Sequence, residues 1–169
     1  MPLSAQDAAQ YTSDGQMKLP ANYREWTFLS SGLAMTYGPA GQTNEQGNPR
    51  FDNVFVNPSA YKSFLKTGTW PDKTVMVLEV RDSDSHVSIN NGGRVQTNLA
   101  AIEVHVKDTA RFKDGWAFFG FNKSDTAKLI PTTANCYSCH SEHGSVDTTF
   151  VQFYPTLIDV AKQKGTFKK

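Results

Sequence analysis

"KTVMVLEVRD", residues 73–82, is the stretch on which the fold turns. Val75, Met76, Val77, Leu78 and Val80 make it almost continuously apolar and rich in β-branched side chains. Pro71 and Asp72 precede it, and the turn-forming run "SDSHVSINNGGR" (83–94) follows. A short apolar run bounded in this way reads as a strand buried on both faces. Beyond the turn, "LAAIEVHVKD" (99–108) alternates, with Ile102, Val104 and Val106 on one face and Glu103 and His105 on the other. That is the period of a strand with two unlike faces.

Upstream, "DNVFVN" (52–57) predicts another strand. Asn57 then caps a short helix with Pro58 at its first position and Gly68 just beyond its end. Tyr61, Phe64 and Leu65 fall on one face of that helix. "YREWTFLSSGLAMTYGP" (23–39) predicts two short strands, or a strand and a turn, with Leu33, Met35 and Tyr37 alternating. "AGQTNEQGNPR" (40–50) is a loop by its Gly, Asn and Pro content. Downstream, "GWAFFGF" (115–121) is a strand. The remaining chain predicts helix through "SDTAKLI" (124–130), the cysteine cluster and "DTTFVQFYPTLIDVAKQKG" (147–165), with Pro155 dividing the last stretch. Strands in the middle and helices at the end predict an α+β domain, an antiparallel sheet with flanking helices. Residues 1–18 read as a flexible N-terminal segment and 19–169 as a single domain.

The 169 residues suffice for one real hydrophobic core. A formal charge of +1 without a basic block gives no nucleic-acid surface. No apolar run reaches the roughly 18–20 residues that span a bilayer. The opening "MPLSAQDAAQ" lacks a charged and apolar leader, so it reads as a mature N-terminus whose export signal is already removed.

"NCYSCHSEHG" (135–144) carries both cysteines and two of the four histidines. A disulfide between Cys136 and Cys139 would close a tiny ring and constrain little of the unfolded chain. A redox Cys-x-x-Cys pair calls for a βαβ setting, which is missing here. Zinc could be offered Cys136, Cys139, His140 and His143, but positions i, i+3, i+4 and i+7 lie along one helical stripe. A single stripe does not wrap easily around a tetrahedral ion. Cys-x-x-Cys-His is the signal for c-type haem attachment. In that reading the thiols form thioethers with the porphyrin, and His140 ligates the iron as its axial metal ligand. One covalent haem c on the C-terminal helical segment uses both cysteines. Bacterial attachment of this kind works outside the cytoplasmic membrane, so the expected location is the periplasm. His143 reads as a bystander, His86 as exposed and His105 as a hydrogen-bonded structural residue.

The blocks "LPANYREWTFL", "VFVNPSAYKSFLKTGTWPDKTVMVLEV", "EVHVKD", "GWAFFGF" and "CYSCHSEHGSVDTTFVQFYPTL" together resemble the cytochrome P-460 family, which includes the beta-type cytochromes c′. The resemblance extends over about residues 19–158. It implies a homodimeric, mostly antiparallel β domain with one covalent haem, His140 on its proximal side and an open distal side for small nitrogen species. The family's enzymes oxidise hydroxylamine and cross-link a lysine to the haem; the beta-type cytochromes c′ lack that lysine and look like binders of nitric oxide. The family frame Thr-Val-x-Val-Lys-Glu reads here Thr74-Val75-Met76-Val77-Leu78-Glu79. Leu78 stands where the lysine would, which argues against hydroxylamine oxidase activity. Lys73 lies in the turn on the opposite strand parity and is a poor substitute. Glu103 matches a distal carboxylate that looks like a proton relay in some family enzymes, although a carboxylate on a mixed strand face is equally expected to be solvated or paired.

These residues predict a periplasmic mono-haem cytochrome with an apolar distal pocket under Leu78, binding nitric oxide, carbon monoxide or related species. Phe55, Phe64, Trp70 or Phe118 would cover the ring. Two alternatives stand beside it. One is a hydroxylamine-oxidising enzyme. The other is an electron-transfer cytochrome with Met76 or Met35 as a sixth iron ligand, against the ordinary role of a buried Met as core filler.

Overall fold

The computed structural model describes residues 7–36, 43–44 and 46–168. Its centre is the hairpin foreseen from the apolar run. Strand β5 (Val75–Asp84) pairs antiparallel with β6 (Val95–Lys107), and residues 85–94 make the turn between them. Strand β4 (Phe51–Val56) adds to the other edge of β5, and β3 (Thr27–Leu33) adds to β4. Strand β7 (Trp116–Gly120) completes the far edge on β6, giving a five-stranded antiparallel sheet in the order β3-β4-β5-β6-β7. Among the described residues, the α-helices α1 (Pro58–Thr67), α2 (Asn135–His143) and α3 (Ile158–Gln163) make the fold α+β, as expected.

The register sorts the side chains into two faces. Met76 lies opposite His105 and Leu78 opposite Glu103 on β6, while Val54 of β4 lies opposite Leu78. His105 in turn faces Phe118 of β7. Because side chains alternate along strands, all these residues share one face. The other face carries Val75, Val77, Ile102, Val104, Val106, Ala117 and Phe119, packed with Tyr23, Trp26 and Met17 into one core. A second core lies on the first face, at the end near α1 and α3, where Val56, Met76 and Trp116 pack with Phe64, Trp70, Val151, Leu157 and Ala161.

One charge is buried in the strongest strand. Glu79, 3% exposed, receives hydrogen bonds from Tyr23 and Arg81 and an ion pair at 2.6 Å from Arg24. Burial alone would raise its carboxyl, but the bonds from Arg81, Tyr23 and Arg24 outweigh this and hold it below the usual range.

Several expectations are corrected. The N-terminal segment is not loose over residues 10–18: β1 (Gln10–Tyr11) and β2 (Met17–Lys18) form a small sheet with β8 (Thr126–Ala127), and Met17 is fully buried. Residues 1–6 lie outside the described residues, as does Tyr37. "SDTAKLI" is no helix. Its Thr126 and Ala127 pair with β2, and Leu129 bridges Phe119, so strand pairing overrides a weak local preference. Helix α1 begins at Pro58 and stops at Gly68, whose left-handed φ of 73° ends it as foreseen. Its buried side chains, however, are Ala60 and Phe64, and Leu65 faces outward. Asn57 gives the helix no side-chain cap. Its side chain is spent on the sheet instead, accepting from the Val75 N–H at 3.0 Å and donating to the Lys73 carbonyl at 3.2 Å.

Candidate functional site

Where the second core stops, the first face of the sheet opens into a cavity of about 750 Å³ between the sheet and α2. This lies within the ~300–1,000 Å³ of ordinary cofactor and ligand sites. Its floor is Val54, Met76, Leu78, Val80, Ala101, Glu103, His105 and Phe118, and its opposite wall is Cys136, Cys139, His140, Phe150 and Phe153. Cys136, Cys139, His140, Leu78, Met76 and Glu103 all border one space, together with Met35, which packs beside Gly32.

Helix α2 explains how the motif works locally. Residues i, i+3 and i+4 of a helix share a face, so Cys136, Cys139 and His140 point into the cavity together. The helix is anchored by Tyr137, whose hydroxyl donates to the Ile130 carbonyl at 3.0 Å and accepts from the Phe118 N–H at 3.3 Å. Both thiols are free. His143, one turn on, is exposed beside Glu142 and does not reach the cavity. Among the described residues, no three His, Cys, Asp or Glu side chains converge as a metal cluster would require.

His140 is held on several sides. Its Nδ1 lies 2.7 Å from the Thr148 carbonyl oxygen. A carbonyl can only accept, so Nδ1 carries the proton and Nε2 keeps its lone pair. Rings of Phe150 at 4.3 Å, Phe118 at 4.6 Å and His105 at 5.0 Å fix the imidazole plane. Burial lowers its pKa, working against the carbonyl bond, which raises it. A neutral imidazole with one nitrogen tied to a carbonyl is the state an axial ligand needs.

The chain reaches this geometry through Gly144. A Cβ there would fall 2.6 Å from the His140 carbonyl oxygen and 2.9 Å from the Thr148 and Thr149 backbone. Only glycine lets residues 145–149 fold back closely enough for Thr148 to meet His140.

His105 is a structural residue, as expected. It stacks on Phe118 at 3.9 Å and packs against Trp116 at 4.3 Å. Burial holds its pKa well below the ordinary value, so it stays neutral.

The cavity is mostly apolar, with a polar fringe that was not foreseen. Leu78 does sit among Val54, Val80 and Ala101, but Asp52, Arg50, Ser30, Ser31 and Glu103 line the same space. Of the four aromatics expected to cover the ring, only Phe118 lines the cavity. Phe55 packs on Tyr23 and Phe28 on the other face. Phe64 and Trp70 stack on each other in the second core. No lysine lines the cavity among the described residues. Lys73 is held away from it by Asp108 and Asp72. Met76 packs into the second core, 4% exposed, while also lining the cavity, in the rung that carries His105 and Phe118, the packing partners of His140.

The family model described as Cytochrome P460 matches residues 20–151, well over half of the chain. The chain belongs to the cytochrome P460 family. Membership supports a haem-binding, iron-binding cytochrome. The matched segment contains the whole Cys-x-x-Cys-His motif, Leu78 and Glu103. No curated protein matches the chain significantly in sequence. No helix among the described residues is long and apolar enough to cross a membrane.

The residues present fit the family's cofactor. Two free thiols and an imidazole with its Nε2 available border one mostly apolar cavity of suitable size. Phe150 lines this cavity, and Thr148, Tyr137 and Gly144 support the motif helix from behind it, none of them foreseen. Only Gly144 left a legible trace, as a glycine directly after the motif helix. Asp52 was also missed. Its signal was a carboxylate on the parity of Val54 and Val56 in "FDNVFVN".

Proposed function

We propose that this protein is an exported mono-haem c-type cytochrome that binds nitric oxide or a related small nitrogen species. Cys136 and Cys139 would hold the porphyrin by thioether bonds, and His140 Nε2 would ligate the iron. The observation that carries the reading is the Nδ1 bond from His140 to the Thr148 carbonyl, 2.7 Å long, beside two free thiols on the same helix face. Haem iron, when bound, supplies a coordination site for small ligands and a one-electron couple. Around it, the side chains do the rest. Thr148 fixes the imidazole tautomer. Phe118 and Phe150 fix its plane. Val54, Leu78, Val80 and Ala101 keep part of the cavity dry, and Glu103 can exchange a proton with what is bound there. Covalent attachment of this type would support a periplasmic location, and the family resemblance supports a homodimer.

Leu78 offers no amine for a cross-link, which favours ligand binding over hydroxylamine oxidation. Hydroxylamine oxidation is the second reading, favoured by Glu103, whose carboxyl is pushed up by burial as a proton-handling group requires.

Absorption spectra of the oxidised and reduced protein, with and without nitric oxide, test the proposal. A five-coordinate ferrous haem that takes up nitric oxide and carbon monoxide is expected. A methionine–iron band without ligand uptake would overturn it, as would a protein isolated with zinc and no haem. Turnover of hydroxylamine with an electron acceptor would favour the second reading.

A further inference from the structure

Five exposed lysines gather on one part of the surface. Helix α1 carries Lys62 and Lys66, and α3 with the tail beyond it carries Lys162, Lys164 and Lys168. Asp159 is the one carboxylate on these elements, in a chain whose formal charge is only +1. Several cations elsewhere are spent on carboxylates: Arg24 and Arg81 on Glu79, Arg50 on Asp82, Lys73 on Asp108 and Lys107 on Asp147. Among the described residues, none of the five lysines joins an ion pair.

Local contacts join the five into a stripe. Helix α1 packs on α3. A Cβ on Gly68, at the end of α1, would fall 2.6 Å from Lys164 Cβ, and the Thr166 hydroxyl donates to the Gly68 carbonyl at 2.7 Å. Lys162 Nζ lies 5.6 Å from the centre of the Phe167 ring. The Lys168 N–H donates to the Ser145 carbonyl at 2.7 Å. The stripe therefore runs from α1, along the tail, to the turn after the motif helix.

Folding alone does not account for it. Lys66 and Lys162 stand in the last turns of their helices, where a cation suits the helix dipole. Lys62 stands one turn before Lys66, and like charges so spaced repel. Lys164 and Lys168 lie beyond α3.

The stripe meets the cavity wall at two points. Ser145, which receives the Lys168 N–H, opens the turn whose Thr148 carbonyl holds His140. Helix α3 packs on the short turn Val151–Phe153, and Phe153 both lines the cavity and is 42% exposed. Leu65, between Lys62 and Lys66, is exposed as well. Lysines around a few exposed apolar groups suit a steered protein interface, in which charge guides the encounter and apolar contact holds it. An anionic lipid surface has no use for closeness to the axial histidine, whereas an electron carrier does.

We propose that this face docks an acidic one-electron carrier protein, with a haem or copper centre, on the His140 side of the haem. One electron passes from ferrous iron, which becomes ferric, to the oxidised centre of the partner, which is reduced. No bond or proton is exchanged. This rests on the cytochrome reading and adds to it a partner class and the surface that receives it.

Two measurements test it, with plastocyanin, a copper protein bearing an acidic face, as the probe. The first is stopped-flow oxidation of the ferrous, haem-loaded protein at varied ionic strength. Wild type should slow as salt rises. Lys66→Glu with Lys164→Glu should slow the reaction at low salt about tenfold or more. Lys18→Glu with Lys128→Glu makes the same change of charge on the small sheet at the opposite face, and should stay within about threefold of wild type. Equal slowing by both pairs would reduce the effect to net charge, and no slowing by either would remove the docking face; each result overturns the proposal. The second is an NMR map of amide shifts in the ferrous protein with reduced plastocyanin, between which no electron passes. Shifts centred on α1, the tail and residues 145–149 are expected, and shifts elsewhere or none overturn it. Co-sedimentation with phosphatidylglycerol vesicles that Lys66→Glu with Lys164→Glu abolishes, while oxidation by plastocyanin is unchanged, would assign the face to a membrane and also overturn it. If the protein is isolated without haem, the cytochrome reading fails and the electron step falls with it, while the NMR map still decides whether this face docks an acidic protein.

Discussion

The imidazole of His140 and the carbonyl of Thr148 lie 2.7 Å apart across the turn that follows the motif helix. This single bond fixes which nitrogen of His140 faces the cavity. It exists because the chain doubles back at Gly144, where a Cβ would strike backbone atoms at 2.6 and 2.9 Å. Backbone cannot yield as a flexible side chain can. Gly144→Ala should therefore displace residues 145–149 and lengthen the bond, at a cost of about 1–3 kcal/mol for forced overpacking. Chemical denaturation reads the stability, and the iron–histidine stretching frequency in resonance Raman spectra reads the bond. An unchanged frequency would mean that Thr148 does not tune the ligand.

Leu78 shares one rung of the sheet with Val54 and Glu103. A lysine introduced there would project its amine over the same floor, beside a carboxylate. Leu78→Lys is expected to form a covalent link to the haem and to produce a red-shifted ferrous band, both detectable by mass spectrometry and absorption. Should the variant load haem normally and show neither, the placement of Leu78 against the ring loses its support.

The sheet was largely legible because its decisive strands carry their own signal. "KTVMVLEVRD" is too short and too β-branched for a helix, and the alternation through Ile102, Val104 and Val106 separated the core face from the cavity face. The motif likewise placed Cys136, Cys139 and His140 from spacing alone. What could not be read depends on contacts distant in sequence. "SDTAKLI" becomes a strand only because Met17 and Lys18 arrive beside it. Thr148 is an ordinary threonine until the turn at Gly144 brings its carbonyl to His140. Asp52 looked like the start of a strand, and that it borders the cavity shows only once β4, β5 and β6 pair.

Trp70 illustrates how the C-terminal segment is fastened behind the cavity. Its indole N–H donates to Thr149 Oγ1 at 2.8 Å, and that hydroxyl donates onward to the Val146 carbonyl at 2.7 Å. Both residues are at most 2% exposed, so water cannot replace a lost partner. Thr149→Val keeps the shape and strands the indole N–H, which should cost about 1–3 kcal/mol. Thermal denaturation would register this as a lower Tm. Trp70→Phe in the Thr149→Val background should recover part of the loss, since it removes the orphaned donor. A Thr149→Val protein as stable as wild type would show that the hydrogen bond contributes nothing net.

Asp52 makes the stability of the fold depend on pH with a definite sign. Its folded-state value is raised from 3.8 to about 6 by burial and by Glu103, so between those values the folded protein binds the proton more tightly than the unfolded chain does. The stabilisation this gives is present at low pH and is lost as pH rises through about 6. A shift of that size corresponds to about 3 kcal/mol, and the part felt by the fold is smaller, about 1–2 kcal/mol, because the carboxyl borders an open cavity. Asparagine mimics the protonated form and carries no charge. Asp52→Asn should therefore be the more stable protein at pH 7.5 by this amount, with the advantage shrinking as pH falls below about 6 and gone below the unfolded value of 3.8. Urea unfolding of both proteins across the range measures it. A variant less stable than wild type throughout would mean that the ionised carboxyl has a favourable partner.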